Sequence, residues 1–370
     1  MSDQLVAKSR RLRSTIYSSR IENQGVTSYT IYNHMLLPAG FEDSLEDTYN
    51  HLKNHVQVWD VAAERQIEIK GKDSYRLVQL MTCRDLSEAK DGKCYYCPII
   101  DDNGGMINDP VILKFNQEKW WISIADSDVM LFAKGLAIGK NFDVTISEPN
   151  VNIMAVQGPK AVDVISSVFG EWVKDLKYFY FKETSLNGIP LLLVRSGWSK
   201  QGGYELYLMD GSKGDELWDI IKEAGKPWDI GPGYPNTVER IESGLLSWGG
   251  DTDDNTNPYE VRLGKYVDLD VPEDVIGISA LKKINQEGPK RHQLGIVFDT
   301  EEEFKSQGVW YDIFVNNEKL GDMTCGIWSK RIRKNIGLCL VSVKLKSGEK
   351  VKVNKNGIEY TGTMTELPFI

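Results

Sequence analysis

Residues 100–113, IDDNGGMINDPVIL, combine a strong turn signal with an acid in an unusual position. The polar centre, 101–105, separates two apolar runs at 97–100 and 110–113. Asn-Gly between β-forming segments is the strongest short hairpin signal, because both central positions of the favoured turn need a positive φ. We therefore predict a hairpin in which Asp109 lies just inside the returning strand.

The acid at Asp109 is poorly explained by the propensity of a strand, which disfavours aspartate. One interpretation is an acid at a strand end that bonds the local backbone. The other is a partly buried acid that a rigid strand holds for chemistry. The residues by themselves leave both interpretations open.

Size and charge limit the classes of protein to which the chain can belong. Its 370 residues are enough for two or three domains with sizeable cores. The formal net charge of -9 argues against a nucleic-acid binder, which needs a basic face. A local basic run at 330–334 is typical of a solvated face, although it could also meet the anionic tail of a ligand.

The ends and the cysteines of the chain predict a cytoplasmic protein. Residues 1–13 are charged and lack the apolar region of a signal peptide, and no apolar run is long enough for a membrane span. Five cysteines, an odd number, fit reduced thiols. Cys94 and Cys97 form a CxxC, but strand alternation would point them to opposite faces, so we expect no metal site.

Hydrophobic periodicity predicts mixed helices and strands over the first 280 or so residues. Helical spacing is found at 44–58, 74–81, 161–168, 215–224 and 238–248. A buried-type strand is predicted at 189–194, with its antiparallel partner at 202–208. After residue 282 the pattern changes to regularly spaced short strands, beginning at 293, 309, 320, 336 and 350. This pattern predicts a separate all-β module of about 85 residues.

Four separated blocks of sequence resemble the folate-binding aminomethyltransferase family, which includes the T-protein of glycine cleavage. They occur in the family's order and together cover about residues 50 to 345. The blocks are NGGMIND at 103–109, AVQGPKA at 155–161, RSGW with GYEL between 195 and 206, and RIE with DTDDNTNPYE between 240 and 260.

The resemblance implies an α+β fold in which three domains form a clover leaf around a central folate channel. The C-terminal domain, 286–370, would be a β barrel. The first two domains would be interleaved in sequence, one from 1–60 plus 150–248 and the other from 61–149 plus 249–285. Tetrahydrofolate would be the co-substrate, with its pterin in the channel and its glutamyl tail pointing outward.

The resemblance also implies roles for particular residues. Asp109 matches the catalytic acid, and Glu205 matches the carboxylate that pairs with the pterin amino group and ring nitrogen. The aromatic positions that line the folate are Tyr96, Tyr178 and Trp198, although each aromatic alone is more often a core residue. Trp198 and Tyr207 are candidates to bind a substrate cation, since Tyr207 alternates with Glu205 on one strand face.

Several departures from the family pattern point away from glycine cleavage. The family's DVSHM is DVAAE at 60–64, its Asp-Asp pair is Asn108-Asp109, and its GARD segment is YPNT at 234–237. The branch that the chain resembles more closely demethylates dimethylsulfoniopropionate, moving an S-methyl group to N5 of tetrahydrofolate. That reaction gives methylmercaptopropionate and 5-methyltetrahydrofolate.

Two other functions stay open at this point. One is an aminomethyltransferase that uses a lipoylated carrier protein, and the other is a folate-binding relative without catalysis. For the demethylase we expect a small sulfonium substrate, no nucleic-acid or membrane partner and no obligatory lipoyl carrier. A homodimer is compatible with the sequence.

Overall fold

Two open β-sheets and one closed β-barrel organise the protein in this computed structural model, which describes residues 11–305 and 309–370. The larger open sheet has six strands in the order β12-β13-β14-β11-β3-β15, and only the β15–β3 pair is parallel. Its strands are β3 (Val56–Asp60), β11 (Asn152–Gln157), β12 (Phe181–Leu186), β13 (Ile189–Val194), β14 (Gly203–Leu208) and β15 (Ile230–Gly233).

Both faces of the six-stranded sheet are covered, which explains why its central strands are almost continuously apolar. Helices α5 (Ala161–Phe169) and α6 (Gly214–Gly225) pack on one face, where Val58 and Leu206 join the core around Trp218. On the other face Tyr207 contributes to a second core.

The smaller open sheet has five strands in the order β10-β4-β9-β8-β5. They are β4 (Gln66–Lys70), β5 (Lys93–Tyr96), β8 (Val111–Asn116), β9 (Lys119–Ser123) and β10 (Thr145–Ser147). Helices α3 (Ser74–Met81) and α4 (Val129–Lys140) cover its outer face. Its inner face contributes Cys94 and Trp121 to the core that contains Tyr207, so the two open sheets meet through these residues.

The C-terminal strands close into a six-stranded barrel in the order β16-β19-β18-β17-β20-β21, which confirms the predicted β-barrel. They are β16 (Arg291–Phe298), β17 (Tyr311–Val315), β18 (Glu318–Ser329), β19 (Lys334–Ser342), β20 (Lys350–Lys355) and β21 (Ile358–Thr365). The last strand was not predicted from the sequence, because it is mostly polar and only alternate residues near its centre are buried.

The remaining elements connect these three bodies. They are α1 (Ser18–Glu22), β1 (Val26–Tyr32), β2 (Met35–Phe41), α2 (Leu45–Asn54), β6 (Ile99–Ile100), β7 (Met106–Asn108), α7 (Thr237–Glu242) and α8 (Ile278–Glu287). Helix α7 packs on β18 and β19 of the barrel. Its Arg240 bonds the buried Asp251 at 2.6 Å, and Asp251 accepts a 2.7 Å hydrogen bond from Thr324 of the barrel.

Three local predictions were wrong at their boundaries. The helix predicted over 44–58 ends at Asn54, because Val56 begins the central strand β3. The helix predicted over 238–248 ends at Glu242. Gly244 has a φ of 59°, and a right-handed helix cannot continue through that backbone conformation. The predicted hairpin is also different, since the turn at 101–105 joins β6 to β7, and β8 pairs with β5.

Asp109 therefore lies between two strands and not inside the returning strand. Pro110 follows it and has no N–H group to donate to a ladder, which explains the break between β7 and β8. The predicted domain boundaries stay a prediction. Among the described residues, no helix is long and apolar enough to cross a membrane.

Candidate active site

The first functional group is the acid in the break after β7. The Oδ2 atom of Asp109 accepts a 2.5 Å hydrogen bond from the hydroxyl of Tyr96, the last residue of β5. The two residues meet because β5 and β8 are paired, with Tyr96 opposite Val111. Burial raises the pKa of Asp109 to about 7, although the bond from Tyr96 opposes the shift. This carboxyl can therefore take up or release a proton near neutral pH.

Tyr96 holds Asp109 in one orientation. Burial, together with the neighbouring Asp109 carboxyl, raises the pKa of the Tyr96 hydroxyl well above its usual value, so the phenol stays a donor. Its ring meets the ring of Tyr266 edge to face, with centroids 5.3 Å apart. The predicted catalytic and folate-lining residues Asp109 and Tyr96 are thus one hydrogen-bonded unit.

The second functional group is Glu205 on β14. Its Oε2 accepts a 2.5 Å hydrogen bond from the Ser196 hydroxyl, and the Tyr207 hydroxyl lies 3.5 Å from the same oxygen. Ser196 is in place because Val194, at the end of β13, is opposite Glu205 in the antiparallel register. Burial raises the pKa of Glu205. The Oε1 atom has no hydrogen-bond partner among the described residues, so it is available to a donor on a ligand.

A third acid, Glu64, was missed by the sequence reasoning. It lies in the turn after β3, and its half-buried carboxyl makes no hydrogen bond or ion pair within the described part of the chain. Burial and the charge of Glu205 raise the pKa of Glu64 to about 8. The signal was present in the sequence, because Glu64 stands where the family's DVSHM block has a methionine.

Tyr32 interacts electrostatically with acids of both groups. Burial raises the pKa of its hydroxyl well above the usual value, and the charges of Glu64 and then Asp109 add to the effect. The ring packs against the core that contains Tyr207, whose own ring stacks with Trp121 at 6.5 Å. Tyr32 therefore links the acids electrostatically, and it does so beside the core in which the two open sheets meet.

The two remaining predicted residues are placed differently. Trp198 is half-buried in the loop from β13 to β14, and it belongs to no hydrophobic cluster of the described residues. Tyr178 is 64% exposed and its ring lies against Phe179. Partial burial and the groups of Glu205 and Tyr266 raise its pKa, so it stands at the outer edge of the site.

The residues fit a pterin, which offers an amino group and a ring N–H to a carboxylate. Within 11–305 and 309–370 the Oε1 atom of Glu205 has no hydrogen-bond partner, Ser196 holds the carboxyl through Oε2, and Tyr207 lies beside it on the same strand. Among the described residues, no group of three or more His, Cys, Asp or Glu side chains is arranged to hold a metal ion.

Comparison with known proteins agrees with this geometry. The family model for the GCVT N-terminal domain matches residues 17–271, and the model for the glycine cleavage T-protein C-terminal barrel domain matches residues 291–370. The chain belongs to the glycine cleavage T-protein family. The predicted family resemblance is therefore confirmed.

Relatives of the chain include a demethylase and aminomethyltransferases. The dimethylsulfoniopropionate demethylase DmdA of Ruegeria pomeroyi is 44% identical over 333 residues, which are 90% of each chain. An aminomethyltransferase of Thermoanaerobacter pseudethanolicus is 29% identical over 83% of this chain and 84% of its own length. One from Bacillus cereus is 30% identical over the same shares.

A solved T-protein structure also shares the fold. The aminomethyltransferase T of the glycine cleavage system from Bartonella henselae superposes with a TM-score of 0.84 over 97% of this chain and 98% of its own, at 18% identity. The predicted α+β fold, with three domains and a C-terminal barrel, is confirmed.

Proposed function

We propose that this protein is a tetrahydrofolate-dependent sulfonium demethylase. It moves one S-methyl group from dimethylsulfoniopropionate to N5 of tetrahydrofolate, and gives methylmercaptopropionate and 5-methyltetrahydrofolate. The observation that carries the proposal is the 44% identity, over 90% of both chains, to a dimethylsulfoniopropionate demethylase.

The pterin would bind at Glu205. The carboxylate accepts the pterin amino group and ring N–H in two charge-assisted hydrogen bonds, which fix both position and orientation. Ser196 holds the carboxylate in place from the other side. Tyr96, Tyr178 and Trp198 would line the folate, with Tyr178 at the outer edge because of its exposure.

The sulfonium would bind between carboxyl groups and aromatic faces. The Glu64 carboxyl has no partner among the described residues and its pKa is raised to about 8 by burial and the charge of Glu205, so a cation bound there would favour its charged form. Tyr207 and Trp198 are the candidate aromatic faces, each contributing about 0.5–2 kcal/mol to cation binding. Tyr32, whose hydroxyl interacts electrostatically with Glu64, is a third candidate.

The chemical step needs alignment more than activation, since a sulfonium methyl is already electrophilic. The N5 lone pair attacks the methyl carbon, and the S–C bond breaks as its electron pair returns to sulfur. Positive charge passes from sulfur to N5, and the product leaves as a neutral thioether. The Asp109 carboxylate stabilises the charge and accepts the N5 proton, directly or through a water.

We infer that the enzyme acts in the cytoplasm and without a lipoyl carrier. The odd number of buried cysteines, all of them free in the described residues, supports a reducing compartment. A free small-molecule methyl donor explains the loss of the family's histidine and arginine positions. A homodimer is compatible with this function.

An aminomethyltransferase is the second candidate, because relatives with that activity match 83% of the chain. The two functions differ in product and in partner. Pure protein is incubated anaerobically with tetrahydrofolate and dimethylsulfoniopropionate, and folates are separated by chromatography. We expect 5-methyltetrahydrofolate without any carrier protein. Formation of methylenetetrahydrofolate only with glycine and a lipoylated carrier would refute the proposal.

A further inference from the structure

A buried asparagine lies in the turn between β1 and β2. Asn33 and His34 form a two-residue turn, since Tyr32 pairs with Met35, and both turn residues have a positive φ, of 50° and 60°. Asparagine is common at such positions because it tolerates a positive φ. That preference does not explain its burial, because turns usually lie at the surface, whereas Asn33 is only 5% exposed.

Both ends of the Asn33 side chain are engaged with other parts of the chain. Its Nδ2 donates a 3.0 Å hydrogen bond to the carbonyl oxygen of Ala63, the residue before Glu64. Its Oδ1 accepts a 3.2 Å hydrogen bond from the backbone N–H of Ser127. Asn33 therefore connects the turn that carries Glu64 to the segment between β9 and α4.

The connection continues from Ser127 to the other acid of the site. The Ser127 hydroxyl accepts a 2.8 Å hydrogen bond from Nδ2 of Asn108, the residue before Asp109. The same hydroxyl donates to the carbonyl oxygen of Ile107 at 3.2 Å. We call Asn33, Ser127 and Asn108 the amide bridge, because two side-chain amides carry it.

The amide bridge is built from neutral groups. Asn108 is fully buried, and its Oδ1 accepts a 3.0 Å hydrogen bond from the N–H of Ala125 while its Nδ2 donates to Ser127. An ionised aspartate can only accept hydrogen bonds, so it could not donate to the Ser127 hydroxyl. It would also place a second negative charge beside Asp109 in a buried site. These two effects explain an asparagine where the family pattern has the first aspartate of its pair.

The turn at Asn33 is also held through its backbone. Its N–H donates a 2.7 Å hydrogen bond to Oδ1 of Asp126, the residue before Ser127. The turn therefore cannot shift against the segment between β9 and α4 without losing two hydrogen bonds. Because Tyr32 directly precedes Asn33, the same bonds restrain one of the aromatic candidates for the sulfonium.

We propose that Asn33, Ser127 and Asn108 are positioning residues, which hold Glu64 and Asp109 in fixed relative positions. The inference rests on the proposed function, in which Glu64 meets the sulfonium and Asp109 takes the proton from N5. The sulfur, the methyl carbon and N5 must lie in line, so a shift of one subsite against the other misaligns the reacting atoms. None of the three side chains needs to touch a ligand in this role.

The test compares kcat of the wild-type protein with that of two variants, at saturating tetrahydrofolate and dimethylsulfoniopropionate. Glycine adopts the positive φ of Asn33 without strain, so Asn33→Gly keeps the turn and removes the side-chain amide. Ser127→Ala keeps the backbone N–H that bonds Asn33 and removes the hydroxyl that bonds Asn108. We expect each change to lower kcat about tenfold, because a small misplacement weakens the alignment.

The double variant Asn33→Gly, Ser127→Ala distinguishes one bridge from two separate supports. Once the chain of hydrogen bonds is broken, a second break adds little, so kcat should stay about tenfold below the wild-type value. Independent supports would multiply to a loss of about a hundredfold. Anaerobic titration calorimetry with tetrahydrofolate checks the folded fraction of each variant. We expect one site per chain and a Kd within about twofold of the wild-type value.

The matched control is Asn316→Gly. Asn316 and Asn317 form a two-residue turn of the same kind between β17 and β18 in the barrel, with φ values of 49° and 66°. Unlike Asn33, Asn316 is exposed. The control therefore makes the same substitution at the same turn position away from the amide bridge, and we expect it to keep kcat within about twofold of the wild-type value.

Crystal structures of the wild-type protein and of Asn33→Gly give a readout that does not depend on activity. We expect the turn at Glu64 to move by about 0.5–1 Å relative to Asp109. Unchanged positions of the two acids would overturn the inference. So would a kcat within about twofold of the wild-type value in either single variant, or a loss of about a hundredfold in the double variant.

The proposed function fails in a different way. A wild-type protein that forms no 5-methyltetrahydrofolate from dimethylsulfoniopropionate would refute the demethylase. If Asn33→Gly then still displaced Glu64 from Asp109 in the crystal structure, the amide bridge would remain supported.

Discussion

Replacing Asp109 with asparagine keeps the shape of the side chain and removes its ability to accept a proton. The amide oxygen can still accept the hydrogen bond from Tyr96 that now measures 2.5 Å, so the local geometry should persist. A positioned general base contributes about 10²–10⁴-fold to rate. We therefore expect kcat to fall by about 10²–10⁴, while the Kd for tetrahydrofolate changes little.

The pH dependence supplies a sharper signature. Because the pKa of Asp109 is about 7, wild-type kcat/KM should rise with pH up to about 7 and then level off. The raised pKa also means that the folded protein holds this proton more tightly than the unfolded chain. Asp109 therefore lowers the free energy of unfolding as pH rises from about 4 to about 7.

The size of the stability effect follows from the size of the pKa shift. A shift from 3.8 to about 7 corresponds to roughly 4 kcal/mol, and partial exposure of the residue reduces this to about 2 kcal/mol. The Asp109→Asn variant lacks this penalty. It should therefore be more stable than the wild-type protein at pH 8, by about 2 kcal/mol, and similar to it at pH 4.

Two measurements check the reasoning. Initial rates of 5-methyltetrahydrofolate formation from pH 5.5 to 8.5 give the activity profile, and urea unfolding at pH 4 and pH 8 gives the stability difference. A variant that keeps more than about a third of wild-type kcat would show that Asp109 is not the base. A pH profile that is unchanged in shape would assign the titration to another group.

Other substitutions test the rest of the site and its support. Glu64→Gln should raise the KM for the sulfonium about tenfold, because the amide cannot take the charged form that the cation favours, and should change the Kd for tetrahydrofolate much less; equal effects on both ligands would contradict this. Trp198→Leu should raise the sulfonium KM by several fold through the loss of an aromatic face, and an unchanged KM would place the cation elsewhere. Arg240→Met should cost about 3–5 kcal/mol in urea unfolding, because it leaves Asp251 buried without its cation; a loss below about 1 kcal/mol would show that the pair is not needed for stability.

Local sequence patterns predicted the elements whose pattern is continuous along the chain. Strand β13 matches the predicted 189–194, and β14 pairs with it in antiparallel register as expected. The prediction of a hairpin at 100–113 was wrong because the turn is determined by neighbouring residues, whereas the partner of the returning strand is distant in the sequence. Strand β8 pairs with β5 instead. This pairing depends on how the whole sheet packs, so a local sequence pattern does not predict it.

The site divides in the same way. Motifs identified Asp109 and Glu205, which each stand in a block with family spacing. They did not identify Glu64, although it lies near Glu205, because the two are about 140 residues apart in the chain. Their proximity depends on the sheet order β14-β11-β3, in which β11 lies between β14, which carries Glu205, and β3, which ends shortly before Glu64.

The arrangement of the three acids favours a cationic methyl donor over a neutral amine. Near neutral pH burial, together with the charge of Glu205, keeps Glu64 protonated, and in this proposal an arriving sulfonium favours the charged form of Glu64 and releases its proton before chemistry begins. The proton on N5 becomes acidic only after methyl transfer, and Asp109 takes it. The Tyr32 hydroxyl, with a pKa well above neutrality, stays protonated. A neutral donor would gain nothing from the first of these acids, whereas a sulfonium uses both, so the placement of Glu64 is the feature that separates the two chemistries.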